Sequence, residues 1–306
     1  MITRRLRTRV PATAAAALVG LTLVACGTGE SADRPASSTS TPSQTSSAVD
    51  YVNLGDSYGA GTGVTPLAAG SPFLCQRSSR NFAHILAQRE GYRLTDASCA
   101  GADTADLADA QYDGVPPQFD ALTPDAGLVT MMMGGNDNDT YSSSIRACRD
   151  VADDDPTGSP CRDRYGERLM QPITTTTYPD LVAALRAVHQ KARNARVLIV
   201  GYPWILPATG GCYPTMKVAA GDVGYLRELQ ATLNDAVRRA AQQTGTTYVD
   251  MSAVSEGHDA CAGPERWIEP MTTSGPGAVH PNARGQEAIA DPVSYTHLRA
   301  HETRHD

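Results

Sequence analysis

The sequence predicts a single α/β domain built on a doubly wound parallel sheet. Two continuous apolar runs, at 127–133 and 196–201, are typical of strands that are buried on both faces of a sheet. Residues 178–194 and 223–241 carry apolar side chains at helical spacing. Buried strands that alternate with helices along a chain predict parallel strands with helices packed on both faces of the sheet.

Shorter elements complete this pattern. The sequence predicts a first strand at 51–54, a helix at 82–89 and a last strand at 246–251. Ligands of an open parallel sheet bind beyond the carboxyl ends of its strands. Polar residues that directly follow these strands are therefore the candidates for a functional site.

The segment at 1–48 is predicted to lie outside the domain, which is assigned to residues 49–292. Residues 1–26 combine early arginines with a short apolar run, which is typical of an export signal. The run ends in Leu23-Val24-Ala25-Cys26 and resembles the bacterial lipobox, so lipidation of Cys26 is expected. An ordinary signal peptide cleaved nearby is the alternative. Residues 27–48 are rich in Ser, Thr and Pro, which predicts a disordered tether.

The segment at 293–306 is predicted to be a non-native tail and is left out of the fold prediction. It begins VSYTHL and resembles translated sequencing-adaptor sequence. A natural polar tail is the alternative. Its histidines, His297, His301 and His305, are accordingly given no role as metal ligands.

Composition and charge argue against several classes of partner. The chain of 306 residues has 26 Lys and Arg against 33 Asp and Glu, a net charge of −7 that attracts neither nucleic acid nor an anionic surface. The glycines at 59–63 complete neither a P-loop nor a Rossmann fingerprint, so no nucleotide cofactor is expected. The acidic run at 150–155 is interpreted as a solvated loop, with a calcium site as the alternative. No metal is expected.

The cysteines agree with export from the cell. The chain has seven cysteines, and six remain when Cys26 is set aside. An even number in an exported protein indicates disulfides. We predict sequential pairing, with reduced thiols as the alternative. The predicted pairs are Cys75 with Cys99, Cys148 with Cys161, and Cys212 with Cys261.

Three residues that follow strands or lie late in the chain carry the candidate chemistry. Ser57 lies in the turn Gly55-Asp56-Ser57-Tyr58-Gly59 after the first strand, and its hydroxyl needs a neighbouring base to act as a nucleophile. Asn136 follows the strand at 127–133, and His280 lies near the end of the domain. The turn also fits the nucleophile elbow of α/β-hydrolases. That elbow follows several strands and an HGGG-type loop, however, and neither precedes Ser57.

Four blocks of sequence in a fixed order resemble the SGNH (GDSL-like) hydrolases. They are Leu54–Tyr58, Cys99–Ala102, Gly134–Asp137 and His280–Asn282. The cysteines and the last block are most similar to the secreted actinobacterial lipases and esterases of this family. The resemblance implies the flavodoxin-like three-layer fold of these hydrolases.

The resemblance also implies residue roles. Ser57 would attack the ester carbonyl and His280 would act as its base, while the N–H groups of Ser57 and Gly101 and the amide of Asn136 would form the oxyanion hole. The family usually has Asp three residues before the histidine, where this chain has Gly277. The Gly277 backbone carbonyl is therefore expected to orient His280, and Asp259 is the rival.

The sequence thus predicts a monomeric serine ester hydrolase without cofactor, held as a lipoprotein on the extracellular face of the membrane, with a small-molecule or lipid ester as substrate. Phe73-Leu74, Met131–Met133 and Trp204–Leu206 are candidates to line an acyl site, although the methionines also fit a buried core. Two alternatives stay open. One is a polysaccharide O-deacetylase of the same fold, and the other is a non-catalytic surface lipoprotein that binds carbohydrate or lipid.

Overall fold

A five-stranded parallel sheet forms the centre of residues 48–302, the part of the chain that a computed structural model describes. The predicted export signal at 1–26, the lipidation site Cys26 and all but the last residue of the tether at 27–48 lie outside the described residues. The strand order is β2-β1-β3-β4-β5. The strands are β1 Asp50–Gly55, β2 Arg93–Asp96, β3 Leu128–Met132, β4 Arg196–Val200 and β5 Thr247–Val249.

The strand order places a switch point between β1 and β3. The chain runs from β1 outward to β2, returns to β3 on the other side of β1, and then continues outward to β4 and β5. Leu54 pairs with Met131 and Gly55 with Met132, so β1 and β3 end side by side. In sheets of this order, the crevice at such a point is where ligands bind.

Helices cover the sheet in two packed pairs. The helices are α1 Ser57–Ala60, α2 Phe82–Glu90, α3 Thr140–Val151, α4 Pro160–Tyr165, α5 Tyr178–Lys191, α6 Val223–Thr244 and α7 Ala283–Glu302. Helix α2 packs against α7, and α5 packs against α6. Because parallel crossovers are right-handed, connections that run toward opposite edges of the sheet place their helices on opposite faces. The predicted doubly wound three-layer arrangement is confirmed.

The predicted strands and helices are present with boundaries that differ by at most three residues, and several elements are additional. Strand β2 has no apolar run, because its side chains are only exposed or half-buried at the sheet edge. Helices α3 and α4 were not predicted either. The side chains of Met131, Met132 and Met133 are fully buried. They belong to the core, which was the alternative to a place in the wall of an acyl site.

Three disulfides tie the loops to the framework, and their pairing is the predicted sequential one. They join Cys75 to Cys99, Cys148 to Cys161, and Cys212 to Cys261. The acidic run inside the second of these loops has protein partners, because Asp153 pairs with Lys217 and Asp155 accepts hydrogen bonds from Thr157 and Gly158. Residues 48–302 contain no cluster of three side chains that could hold a metal ion.

Helix α7 continues across position 293, where the predicted non-native tail begins. Val293 is fully buried, and the ring of His297 packs edge-on against that of Tyr92 at 5.7 Å. At least the first part of this segment therefore packs on the domain, although it was left out of the fold prediction. Its origin stays a prediction. Within the described residues, no helix has the length and apolar character that crossing a membrane requires.

Candidate active site

Ser57 is the first residue of α1, directly beyond the end of β1. The turn needs Gly55, because its φ is +154° and a Cβ there would lie 2.8 Å from the carbonyl oxygen of Met132. Asp56 caps the helix, since its carboxylate accepts a 2.9 Å hydrogen bond from the N–H of Tyr58. Strand, glycine and cap together fix Ser57 at the carboxyl edge of the sheet.

A buried tyrosine joins this turn to the turn that follows β3. The hydroxyl of Tyr202 donates to Asp56 at 2.5 Å and accepts from the N–H of Gly135 at 3.0 Å. Asn234 of α6 holds the backbone of Tyr202, because its side chain bonds both the N–H and the carbonyl of that residue. Burial raises the pKa of Asp56 to about 6, against the effect of the Tyr202 hydrogen bond.

Asn136 follows β3 and contacts the loop that contains Gly101. Its side-chain amide donates to the carbonyl of Ala102 at 3.0 Å. An amide carries two N–H donors, so one remains for a ligand. The next residue, Asp137, accepts bonds from the N–H and the hydroxyl of Thr104 at 2.9 and 2.8 Å. Burial raises the pKa of Asp137 to about 6.

Gly101 lies in a tight turn that this network holds. Its φ is +80°, and the N–H of Ala102 closes the turn onto the carbonyl of Cys99 at 3.1 Å. Gly101 is not among the residues that line the cavity described below. Its proposed part in an oxyanion hole therefore stays a prediction.

His280 is oriented by a backbone carbonyl, but by a different one from that predicted. Its Nδ1 lies 2.8 Å from the carbonyl oxygen of Ala278, whereas the Gly277 carbonyl accepts the backbone N–H of His280 at 3.1 Å. The prediction of Gly277 was wrong by one residue, because the four-residue turn from Gly277 to His280 directs the Gly277 oxygen to the backbone N–H and brings the Ala278 oxygen to Nδ1. The rival carboxylate, Asp259, instead accepts the N–H of Cys261.

This contact determines the tautomer of the imidazole. A carbonyl oxygen can only accept, so Nδ1 must carry the hydrogen and Nε2 of the neutral ring is left with its lone pair. Burial lowers the pKa of His280 below its ordinary value of 6.5, while the bond to Ala278 acts in the opposite direction. A neutral His280 can accept a proton at Nε2.

The loop that carries His280 is fixed from two sides. The hydroxyl of Tyr58 donates to the carbonyl of Val279 at 2.7 Å, and the N–H of Val279 donates to Glu269 at 2.8 Å. Val279 has a φ of +62°, which is unusual for a β-branched residue. The backbones of Gly63 and Gly277 also touch, since a Cβ on Gly63 would lie 2.3 Å from the Cα of Gly277.

A cavity of about 310 Å³ brings the predicted residues together. Ser57, Asn136 and His280 all line it, at the switch point between β1 and β3. Its other walls come mainly from α3 and from the segment before His280, neither of which the sequence analysis identified. These lining residues include Tyr141, Ser142, Ile145, Arg146, Arg149, Met271 and Val279.

The segments predicted to line an acyl site do not line this cavity. Phe73 and Leu74 are exposed at the surface, and Met131–Met133 and Trp204–Leu206 are buried in the core. An amphipathic pattern over 140–151 is the signal that could have found α3, because Tyr141, Ser144, Cys148 and Val151 share its buried face.

Comparison with known proteins gives a consistent result. Residues 54–288 match the sequence model of the GDSL-like Lipase/Acylhydrolase family. Lipase 2 of Streptomyces coelicolor is 48% identical over 275 residues, which cover 88% of this chain and 93% of that protein. The crystal structure of phospholipase A1 from Streptomyces albidoflavus superposes with a TM-score of 0.70 at 25% identity, over 81% of this chain and 99% of that one.

A second solved structure has the same fold. The extracellular lipase of Streptomyces rimosus superposes with a TM-score of 0.68 at 24% identity, and the match covers 81% of this chain and 99% of that chain.

Proposed function

The chain belongs to the GDSL-like lipase/acylhydrolase family and is a lipase or esterase of that family, and from this premise we propose that it cleaves acyl esters through an acyl-enzyme on Ser57. The observation that carries the proposal is the cavity that Ser57, Asn136 and His280 line together, with Nδ1 of the histidine bonded to Ala278. Nucleophile, oxyanion donor and base then act on one bound ester.

The proposed reaction begins when Nε2 of His280 removes the hydroxyl proton of Ser57 as the oxygen attacks the ester carbonyl. The same proton is then delivered to the leaving alcohol, which departs as the acyl-enzyme forms. Water, deprotonated by His280, then attacks the acyl carbonyl, the bond to the Ser57 oxygen breaks, and His280 returns the proton to that oxygen as the acid is released. The Ala278 carbonyl keeps the imidazole in the required tautomer throughout, so Ser57 and His280 act as a dyad.

Negative charge develops on the carbonyl oxygen in both steps. The proposed donors are the N–H groups of Ser57 and Gly101 and the free N–H of the Asn136 amide. The N–H of Ser57 lies in the first turn of α1, where backbone N–H groups are not used by the helix. A preorganised donor of this kind typically contributes about 10²–10³ in turnover.

Fatty-acyl esters are the proposed substrates. The cavity volume of about 310 Å³ falls at the lower end of the range for small-molecule sites, about 300–1,000 Å³, and exceeds what an acetyl group requires. Tyr141, Ile145, Met271 and Val279 give it apolar walls. The names of the relatives, a lipase and a phospholipase A1, support the same class.

Covalent labelling tests the proposal directly. An alkyl fluorophosphonate should label the wild-type chain at Ser57, and Ser57→Ala should abolish labelling and ester hydrolysis without loss of folding. Ser143→Ala, on α3 but outside the cavity lining, is the matched control and should label normally. If the well-folded wild type resists the probe and hydrolyses no ester, the proposal is wrong and the alternative of a non-catalytic binding protein is favoured. A steep preference for acetyl over octanoyl esters would instead indicate the polysaccharide O-deacetylase.

We further propose that the enzyme is secreted and tethered, as a monomer, by lipid on Cys26. The export signal, the lipobox and the three disulfides support this location. The Streptomyces rimosus lipase with the same fold is extracellular, which agrees with this location. Cells that produce the chain should incorporate labelled palmitate into the wild type but not into Cys26→Ser. Sedimentation of Cys26→Ser measures the oligomeric state, and a dimer mass would contradict the monomer.

A further inference from the structure

Phe73 and Leu74 form an apolar projection on the described surface. Their relative exposures are 75% and 54%, and Phe73 is the most exposed large apolar side chain among residues 48–297. They are consecutive residues of a short helical turn, Phe73–Cys75, in the loop between α1 and α2. Single exposed apolar residues are common, whereas an adjacent aromatic and leucine at a loop tip indicate a contact surface.

The chain segment that carries this projection contains no charged side chain. From Ser57 to Gln76 the sequence contains no acidic, basic or histidine residue, although the whole chain has a net charge of −7. The flanking Asp56 is buried. The guanidinium of Arg77 is turned inward, where it donates to the carbonyls of Ala97 and Ser98. An uncharged apolar tip is suited to an electrically neutral apolar phase rather than to a charged partner.

The projection is held firmly by its own loop. The amide of Gln76 donates to the carbonyl of Phe73 at 2.7 Å. The N–H of Ala68 donates to the carbonyl of Arg77 at 2.8 Å and closes the base of the loop. Because these bonds fix the backbone of the loop, they hold Phe73 and Leu74 at its exposed tip. Their exposure is a property of the fold.

The same loop is bonded to the active-site framework. Cys75 forms a disulfide with Cys99, and its carbonyl accepts the N–H of Ala100 at 3.0 Å. The turn at 99–102 is in turn bonded to Asn136 through Ala102. The loop joins α1, which begins with Ser57 after the carboxyl end of β1, to the start of α2, so it lies at the sheet edge that carries Ser57.

We propose that Phe73 and Leu74 insert into the surface of an aggregated, electrically neutral lipid and hold the mouth of the active site against it. The inference rests on the proposed function for its purpose, because an insoluble acyl ester is presented at such a surface. The loop is uncharged and the whole chain has a negative net charge, so we expect the bound lipid to be neutral or zwitterionic. An anionic surface would repel the chain.

Binding is tested apart from turnover. All proteins carry Cys26→Ser to remove the proposed lipid anchor and Ser57→Ala so that the lipid stays intact. Sedimentation with phosphatidylcholine vesicles measures the bound fraction. We expect F73S/L74S to lower the partition coefficient at least tenfold. Val254→Ser, which alters another exposed apolar side chain (46% exposed), should leave it unchanged. Equal partitioning of F73S/L74S and the parent overturns the proposal.

Kinetics with Ser57 intact provide the second measurement. F73S/L74S should hydrolyse a dissolved short-chain ester as the parent does and lose at least tenfold in rate on phosphatidylcholine vesicles. Equal losses on both substrates would place these residues in the reaction rather than at an interface and overturn the proposal. The proposal is also overturned if F73S/L74S changes the oligomeric state of the protein but not its binding to vesicles. If the parent hydrolyses neither ester, the proposed function fails, while the sedimentation result still decides lipid binding.

Discussion

The hydroxyl of Tyr58 donates a 2.7 Å hydrogen bond to the carbonyl oxygen of Val279. Tyr58 directly follows the proposed nucleophile Ser57, and Val279 directly precedes the proposed base His280. One hydrogen bond therefore joins two chain segments that lie more than 200 positions apart. The ring of Tyr58 also packs against the imidazole, with centroids 5.3 Å apart.

Tyr58→Phe should lower kcat by about 10- to 100-fold with little change in KM, because the base would lose its alignment with the nucleophile. It should also lower the free energy of unfolding by about 1–3 kcal/mol, since the Val279 carbonyl loses a partner. Steady-state kinetics on a dissolved ester and chemical denaturation measure both effects.

The matched control for Tyr58→Phe is Tyr51→Phe. The Tyr51 hydroxyl makes a buried 2.7 Å hydrogen bond to Thr130, within the sheet. Its loss should lower stability by a similar amount and leave kcat unchanged. If both variants lose activity equally, Tyr58 has no special positioning role.

Gly63→Ala should impair catalysis through the His280 loop. The added Cβ would lie 2.3 Å from the Cα of Gly277, so one backbone must move. We expect kcat to fall at least tenfold. Gly91→Ala is the control, because Gly91 also has a positive φ (+71°) but nothing lies within 4 Å of its added Cβ. Comparable kcat losses in the two variants would trace the effect to backbone strain alone.

Asn136→Ala should lower kcat by about 10²–10³ with a much smaller effect on KM, because an oxyanion donor acts mainly in the transition state. Asn138→Gly serves as the control, since Asn138 is exposed and its φ of +55° suits glycine. Asn138→Gly should retain full activity. A rise in KM at constant kcat for Asn136→Ala would identify a residue that only binds substrate.

The acid limb of the pH–rate profile should have its midpoint below pH 6.5. His280 must be neutral to act as base, and burial lowers its pKa below that ordinary value. Activity is lost only as the pH falls through this lowered pKa. Measurement of kcat/KM on a dissolved ester, with fluorescence to exclude unfolding, checks the prediction. A midpoint at or above 6.5 would contradict it.

Asp137→Asn should stabilise the protein at neutral pH. The pKa of Asp137 is about 6 in the folded chain against an ordinary 3.8, so the folded state binds this proton more tightly. The free energy of unfolding then falls as the pH rises from about 4 to 6, by roughly 1–3 kcal/mol for such a shift. Asparagine can keep both bonds to Thr104 without the charge. Chemical denaturation at about pH 4 and about pH 6 measures the free energy of unfolding at both ends of this range. The difference between the two values should be smaller for Asp137→Asn than for the wild type.

Sequence patterns predicted the parts of the fold that depend on buried apolar runs. β1, β3 and β4 are the inner strands of the sheet, and their buried runs of apolar residues identify them. β2 lies at the edge of the sheet with polar side chains, so no such run could reveal it. The sequence analysis also predicted that Ser57 and Asn136 lie at one edge of the sheet, because each follows a parallel strand. In the structure β1 and β3 end side by side, as this requires.

The details that sequence did not give depend on turn geometry and on contacts between distant segments. Nothing in the letters of 277–280 distinguishes the oxygen of Gly277 from that of Ala278, because the choice follows from the turn that Val279 makes at φ +62°. Tyr202 appears in the sequence as one more apolar residue after a strand. Its role in bonding Asp56 and Gly135 exists only once β1, β3 and β4 lie together.

The acceptor that orients His280 belongs to the main chain, and main-chain oxygens are common to all amino acids. Other small side chains at position 278 should therefore keep it, provided that the turn is retained, whereas a bulky one would narrow the cavity that Ala278 lines. A catalytic carboxylate, in contrast, is lost by a single codon change. Saturation mutagenesis in search of a third essential side chain should accordingly find none at position 278. Sensitivity should appear instead at Tyr58 and Gly63, which hold the backbone in place.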